Sequence, residues 1–132
     1  MLPYRLFLPL ASLVLLAGCG HALHEVPGFQ AAAWRADPYA CQGKRAALVA
    51  PLLAARAQLY QARADDITVL LGHPDEEELQ VGTEKVYHYY LVPGPQCGSR
   101  HEHSAAPRLS LHFGPLGTLT EVLADPVPVN PQ

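Results

Sequence analysis

The sequence predicts an α+β fold, a two-layer sandwich in which N-terminal helices pack on a three-stranded antiparallel meander. Residues 42–72 are rich in helix-forming residues whose apolar positions recur with a helical period. Residues 84–124 instead contain aromatic and alternating apolar segments, which are typical of strands. Short turn sequences favour antiparallel neighbours among these strands. The length of 132 residues suits one domain.

Composition and charge exclude several classes of protein. Charged residues make up only 16% of the chain and there are 13 prolines, which argues against a coiled coil and a charge-rich disordered chain. Nine Lys and Arg against 12 Asp and Glu leave no positive excess for a phosphate backbone, so we expect no nucleic-acid partner. The chain has neither a G-x-S-x-G motif nor a P-loop, so we predict neither an enzyme nor a cofactor.

The N-terminus has the pattern of an export signal. Arg5 precedes an apolar run, Leu6 to Leu16, which is too short to cross about 30 Å of hydrocarbon comfortably and is typical of a signal peptide. The run leads into the sequence Leu-Ala-Gly-Cys, which ends at Cys19 and resembles a bacterial lipobox. That resemblance implies a lipoprotein signal peptide over residues 1–18 and acylation, for example by palmitate, of Cys19. An ordinary secretory signal with a chance cysteine is the alternative.

The lipobox also implies a location. Each buried methylene of an acyl chain contributes about 0.8 kcal/mol, so several chains would hold the protein to a membrane through its N-terminus. Gly20 follows the cysteine, where Asp would suggest inner-membrane retention in enterobacteria. We therefore expect an outer-membrane lipoprotein that faces the periplasm or the cell surface and binds an envelope protein.

The remaining two cysteines form an even pair. If lipid occupies Cys19, Cys41 and Cys97 are left in an oxidising compartment, where a pair favours a disulfide. Two free thiols and a metal site are the alternatives, although no C-x-x-C spacing supports zinc.

The helical half begins after a tether. Residues 19–37 read as a lipidated tether and leading segment, in which Trp34 is expected to be a packing anchor. Residues 42–62 predict a helix that kinks or restarts near Pro51 and could be two short helices. Residues 63–72 predict a further helix that ends at Gly72.

The strand half follows an acidic run. Glu76–Glu78 is expected to lie on a solvated loop. Strands are predicted over 84–92, 107–113 and 118–124, with a bulge in the last pair because its apolar residues lie three apart. The predicted domain spans residues 38–124, and the proline-rich residues 125–132 form a loose tail.

Residues 60–124 contain an ordered series of short motifs: a helix ending in Leu-Leu-Gly-x-Pro, a strand with an aromatic-x-Tyr core, a strand ending in Phe, a glycine turn and a last strand with Val. The residues of these motifs are Leu70, Leu71, Gly72, Pro74, Tyr87, Tyr89, Phe113, Gly117 and Val122. Over this range the chain resembles the SmpA/OmlA (BamE-like) lipoprotein superfamily. The resemblance implies the α+β fold and a non-catalytic role such as that of an accessory subunit in outer-membrane assembly.

Histidines provide an alternative function. His101 and His103 lie two apart, so an extended loop would point both imidazoles the same way toward one metal ion, with His112 as a possible further ligand. A periplasmic metal or small-ligand sensor is therefore the second hypothesis. The competing interpretation of these histidines is a polar surface loop.

Overall fold

The computed structural model describes residues 23, 25–82 and 84–127. Four α-helices come first: α1 (Ala31–Arg35), α2 (Arg45–Ala54), α3 (Arg56–Leu59) and α4 (Ala64–Leu71). Four strands follow: β1 (Glu76–Leu79), β2 (Lys85–Tyr90), β3 (Arg108–Phe113) and β4 (Leu119–Ala124). Two short 3₁₀ turns, Pro38–Ala40 and Pro95–Cys97, complete the order. Within these ranges no helix is long and apolar enough to cross a membrane. The predicted signal peptide, Cys19 and residues 128–132 lie outside the described residues.

The strands form one antiparallel sheet in the order β1-β2-β3-β4. The α+β class is as predicted, but the count of three strands is wrong. The acidic run Glu76–Glu78 is not a loop, because it pairs with Val86–His88 as the edge strand β1. An edge position tolerates a charged strand because one side of it faces no other strand.

The predicted helical stretch forms two helices, which is one of the two expected forms, but the break does not fall at the proline. Helix α2 runs through Pro51 and ends at Ala54, and Ala55 has non-helical dihedral angles. Pro51 lacks an N–H and so loses the bond to the preceding turn, yet its own carbonyl still accepts from the N–H of Ala55. The helix therefore continues for one turn beyond the proline.

Helix α4 follows the sequence prediction closely. Asp65 and Asp66 occupy its first turn, where carboxylates oppose the positive end of the helix dipole. Ile67 and Leu71 are buried on one face. Gly72 ends the helix with φ of 81°, a conformation that side chains other than glycine rarely adopt.

Residues from the helical half and from the strand half belong to one buried cluster. Residue burial alternates strictly along β3, and the large rings of Trp34 and Tyr89 pack with centroids 6.1 Å apart. The expected role of Trp34 as a packing anchor is confirmed, since it is fully buried. The buried cluster comprises Val26, Trp34, Val49, Leu52, Leu59, Ala62, Ile67 and Leu71 from the helical half and Tyr87, Tyr89, Leu91, Leu109, Leu111, Phe113, Leu119 and Val122 from the strand half.

The predicted bulge in the last strand pair is confirmed. The register between β3 and β4 shifts between His112 and Phe113, so that Phe113 lies opposite Leu119 while His112 lies opposite Glu121. One extra residue in β4 turns both Leu119 and Val122 toward the core although they are three apart.

Candidate functional site

The sheet face opposite the core carries a network of polar side chains, here called the polar face. Directly opposed residues in antiparallel strands point to the same side. Glu76, His88 and Ser110 therefore form one row of this face across β1, β2 and β3. Glu78 and His112 lie on the same face, one row along.

A buried histidine connects three strands of the polar face. The His88 ring lies 2.8 Å through Nδ1 from Ser110 Oγ and 3.1 Å through Nε2 from Glu78 Oε2. A carboxylate can only accept, so Nε2 carries the hydrogen and Nδ1 accepts from the Ser110 hydroxyl. Burial lowers the pKa of His88, which outweighs the opposing effect of Glu78. The imidazole therefore lies between a hydroxyl that donates to it and a carboxylate that accepts from it.

Glu76 is the second hub of the polar face. Its carboxylate accepts from the Tyr90 hydroxyl at 2.6 Å, from His103 Nδ1 at 3.0 Å and from Arg108 at 3.2 Å. Burial raises the pKa of Glu76, but the hydrogen bonds from Tyr90 and His103 and the charge of Arg108 reduce it below its ordinary value. Burial and the bond to Glu76 raise the pKa of Tyr90 to about 12.

A buried ion pair anchors β1 at its start. The side chains of Arg45 and Asp75 are 2% and 3% exposed, and Arg45 reaches Asp75 Oδ2 at 2.6 Å. Asp75 also accepts the backbone N–H groups of Tyr39 and Tyr90. Arg45 lies over the ring of Trp34 at 4.8 Å. This pair ties α2, the turn at Tyr39 and β2 to the residue before β1, so it positions the whole acidic strand.

The candidate metal ligands have separate partners. The His101 ring stacks on Tyr39 with centroids 4.0 Å apart, and its Nδ1 donates to the carbonyl of Gln96 at 3.0 Å. His103 is instead bound to Glu76. His112 lies on β3, on the polar face. In the ranges the structure describes, no group of three or more His, Cys, Asp or Glu is placed to hold a metal ion.

The cysteine pair lies beside His101. Cys41 and Cys97 have Cα atoms 5.6 Å apart and are joined in the structure as a disulfide, which is the predicted pairing. The bridge connects the turn Pro38–Ala40 to the turn Pro95–Cys97. Gln96 strengthens this connection, because its side-chain amide donates to the carbonyl of Tyr39 at 3.1 Å.

Sequence reasoning missed the hubs of the polar face. It placed Glu76 and Glu78 on a loop, and neither His88 nor Ser110 was among the candidate site residues. The signal that could have found them is the alternation of side chains between the two faces of a strand. Once β1 is recognised as a strand, the hairpin register places Glu76 opposite His88, on the same face. Asp75 had no comparable signal, since its partner Arg45 is thirty residues away.

Two open cavities lie elsewhere on the surface. One of about 840 Å³ is lined by residues 25–33, Arg35 and Leu70, and one of about 330 Å³ is lined by Leu23, Arg35 and residues of α4. None of the hub residues of the polar face lines either cavity. The polar face is thus a surface that can donate and accept hydrogen bonds and take up a proton at low pH, rather than the wall of one of these cavities.

In comparisons with known proteins, no family model, no curated protein and no solved structure matches this chain.

Proposed function

We propose that the protein is a non-catalytic envelope lipoprotein, anchored to the outer membrane by lipid on Cys19, that presents its α+β domain to another envelope protein. The observation that carries this proposal is the pairing of Cys41 with Cys97. Disulfides persist in exported proteins and are rare in the reducing cytosol. The pairing also leaves Cys19, at the end of the lipobox-like sequence, as the single cysteine free for acylation.

The arrangement of the core supports the domain half of the proposal. We infer two layers, with the helices covering the face of the sheet that carries Tyr87, Tyr89 and Leu111, because these residues share one buried cluster with helix residues. His88 and Tyr90 at the centre of the opposite polar face are buried, but Glu78 and Glu121 at its two edges are exposed and accessible to a partner. We also propose a relationship to the SmpA/OmlA superfamily, supported by the motif from Leu70 to Val122.

Metabolic labelling with a palmitate analogue tests the anchor. The wild-type chain, expressed in a Gram-negative host, is expected to take up label and to sediment with outer membranes. A Cys19→Ser variant is expected to lose the label, whereas Cys41→Ser keeps it and serves as the matched control. Equal labelling of the wild-type chain and the Cys19→Ser variant would contradict the proposal.

Photo-crosslinking in membranes tests the protein partner. A photoreactive residue is introduced at single exposed positions, among them Val69 on α4, which is 77% exposed. A discrete crosslinked protein at one position but not at others is expected for a binding surface. If no position yields a crosslink above that of the unmodified chain, a protein-binding function is excluded under these conditions.

A further inference from the structure

The two edges of the sheet are covered to different extents. The start of β4 is paired by the chain itself, because Gln61 and Ala62 exchange backbone hydrogen bonds with Leu119, and Ala64 donates to Gly117. At the opposite edge, β1 pairs with β2 on one side. Within the described residues, no hydrogen bond from another segment reaches the backbone of β1 on its other side. The edge of β1 is therefore open to an added strand.

Exposed aliphatic side chains continue this open edge. Leu79 ends β1 with 73% of its surface exposed, and Val81 in the following turn is fully exposed. Leu79 lies opposite Lys85 on the side of the sheet that carries the core. An isolated apolar side chain on a surface is ordinary, but two beside an unpaired strand edge form a surface that an extended peptide can cover.

The charge of the β1–β2 hairpin determines what kind of strand fits. Residues 76–85 contain Glu76, Glu77, Glu78 and Glu84 against the single cation Lys85. Lys85 is bound to Glu77 at 3.2 Å and Arg108 on β3 is bound to Glu76 at 3.2 Å, whereas the partner of Glu78 is the buried imidazole of His88. Glu78 and Glu84 therefore leave the hairpin with an excess of negative charge. Two copies of this edge would repel each other, which disfavours self-pairing and favours a basic partner.

We propose that β1 is the docking edge of the protein, and that its occupant is an extended segment of a partner protein in which basic and apolar residues alternate. The alternation follows from the pleat. Basic residues of the added strand would lie on the polar face beside the exposed Glu78, whereas apolar residues would lie on the other side beside Leu79. This inference rests on the proposed protein-binding function and identifies the edge of β1 as the surface that binds the partner.

A synthetic peptide of alternating lysine and valine is the probe. It is titrated into the full mature chain in detergent micelles, and hydrogen exchange is followed by mass spectrometry. The expected result is slower exchange of amides in Glu76–Leu79, with no change in Leu119–Ala124. Two control peptides are used: one with glutamate in place of lysine, and one with proline in place of valine, which keeps the charge but cannot form the ladder. Equal protection by the proline peptide would overturn the proposal.

Charge reversal on the two edges provides the matched variants. Glu78→Lys is expected to weaken binding of the lysine–valine peptide about fivefold, since a cross-strand charge pair is worth up to about 1 kcal/mol. Glu121→Lys makes the same charge change on β4 and is expected to leave the affinity within about twofold. Both side chains are exposed, so the fold is expected to survive, and circular dichroism checks this. Equal weakening by both variants would overturn the assignment to β1.

Crosslinking separates this inference from the proposed function. With a photoreactive residue at Val81 and, separately, at Val69, the docking edge predicts a crosslinked protein at Val81 alone. A crosslink at Val69 and none at Val81 would support a protein-binding function and overturn β1 as its surface. Absence of crosslinks at every position tested would overturn both.

Discussion

Arg45 and Asp75 show how a few buried charges organise this small domain. Removing either charge leaves the other buried without its partner, and the cost of such an unpaired charge is about 3–5 kcal/mol. Asp75 also fixes two backbone N–H groups, so it acts on the turn at Tyr39 and on β2 at the same time.

The first prediction concerns this ion pair. Arg45→Met is expected to lower the free energy of unfolding by about 3–5 kcal/mol, because it leaves the Asp75 carboxylate buried and uncompensated. Urea unfolding followed by the fluorescence of Trp34, the single tryptophan, measures the change. Arg56→Met, at an exposed position of α3, is the control and is expected to cost less than about 0.5 kcal/mol. A loss of similar size in both variants would show that the pair is unimportant.

The second prediction concerns Gly72. Gly72→Ala is expected to lower the free energy of unfolding by about 1–3 kcal/mol, because φ of 81° with ψ of −179° is a conformation that only glycine adopts freely. The new methyl group would lie 3.4 Å from Arg35 Cγ, an ordinary contact distance, so the expected loss comes from the backbone conformation. Gly98→Ala is the control, since Gly98 has φ of −64° and no neighbour closer than 3.4 Å. Thermal unfolding of both variants measures the difference, and equal melting temperatures would contradict the strain argument.

At the scale of elements, local chemistry predicts some segments well and others poorly. Helix α4 combines an acidic first turn, an apolar face and a terminal glycine, so three local signals agree. Strand β1 has no local signal, because three consecutive glutamates have low strand propensity. Its strand state comes from hydrogen bonds to β2 and from partners for each carboxylate: Arg108, Lys85 and His88.

The third prediction concerns the connection between the two 3₁₀ turns. Cys41 and Cys97 close a loop with a sequence separation of 56. On the chain-entropy model, removing this crosslink lowers the free energy of unfolding by about 4 kcal/mol. The Cys41→Ser, Cys97→Ser double variant is therefore expected to unfold at a lower urea concentration than the oxidised protein. Reducing agent should lower the midpoint of the wild-type chain and leave that of the double variant unchanged. An effect of reducing agent on the double variant would contradict this account.

At the scale of the whole molecule, the polar face couples stability to pH. Because burial lowers the pKa of His88, the folded protein binds fewer protons than the unfolded chain as the pH falls through about 6.5, the ordinary value for histidine. Stability therefore decreases on acidification. The pKa values of Glu76 and Glu78 are also lowered, chiefly through hydrogen bonds from Tyr90 and His88, so stability falls further below about 4.5.

The fourth prediction follows from this loss of stability on acidification. The free energy of unfolding is expected to decrease between pH 7 and pH 5, and His88→Gln is expected to flatten the dependence in that window, since glutamine does not titrate. Urea unfolding at several pH values measures both slopes. His73→Gln, at an exposed position, is the control and is expected to keep the wild-type slope. Identical slopes for the wild-type chain and His88→Gln would show that His88 is not the origin of the pH dependence of stability.

The sequence by itself determined the α+β class, the limits of α4, the alternation of β3, the buried Trp34 and the bulge in β4. These features depend on neighbours within a few residues, where propensity, period and turn chemistry act directly. It also predicted the partners Cys41 and Cys97, because a count of two leaves one pairing.

Only the tertiary structure decided the role of the acidic run. Whether Glu76–Glu78 is a loop or a strand depends on β2 being free on one side to pair with it, and on charged partners as far away as Arg108. The same is true of Asp75 and His88, whose partners lie far away in the chain. Pairing between distant residues is selected by the energy of the whole folded chain, so no local pattern contains it.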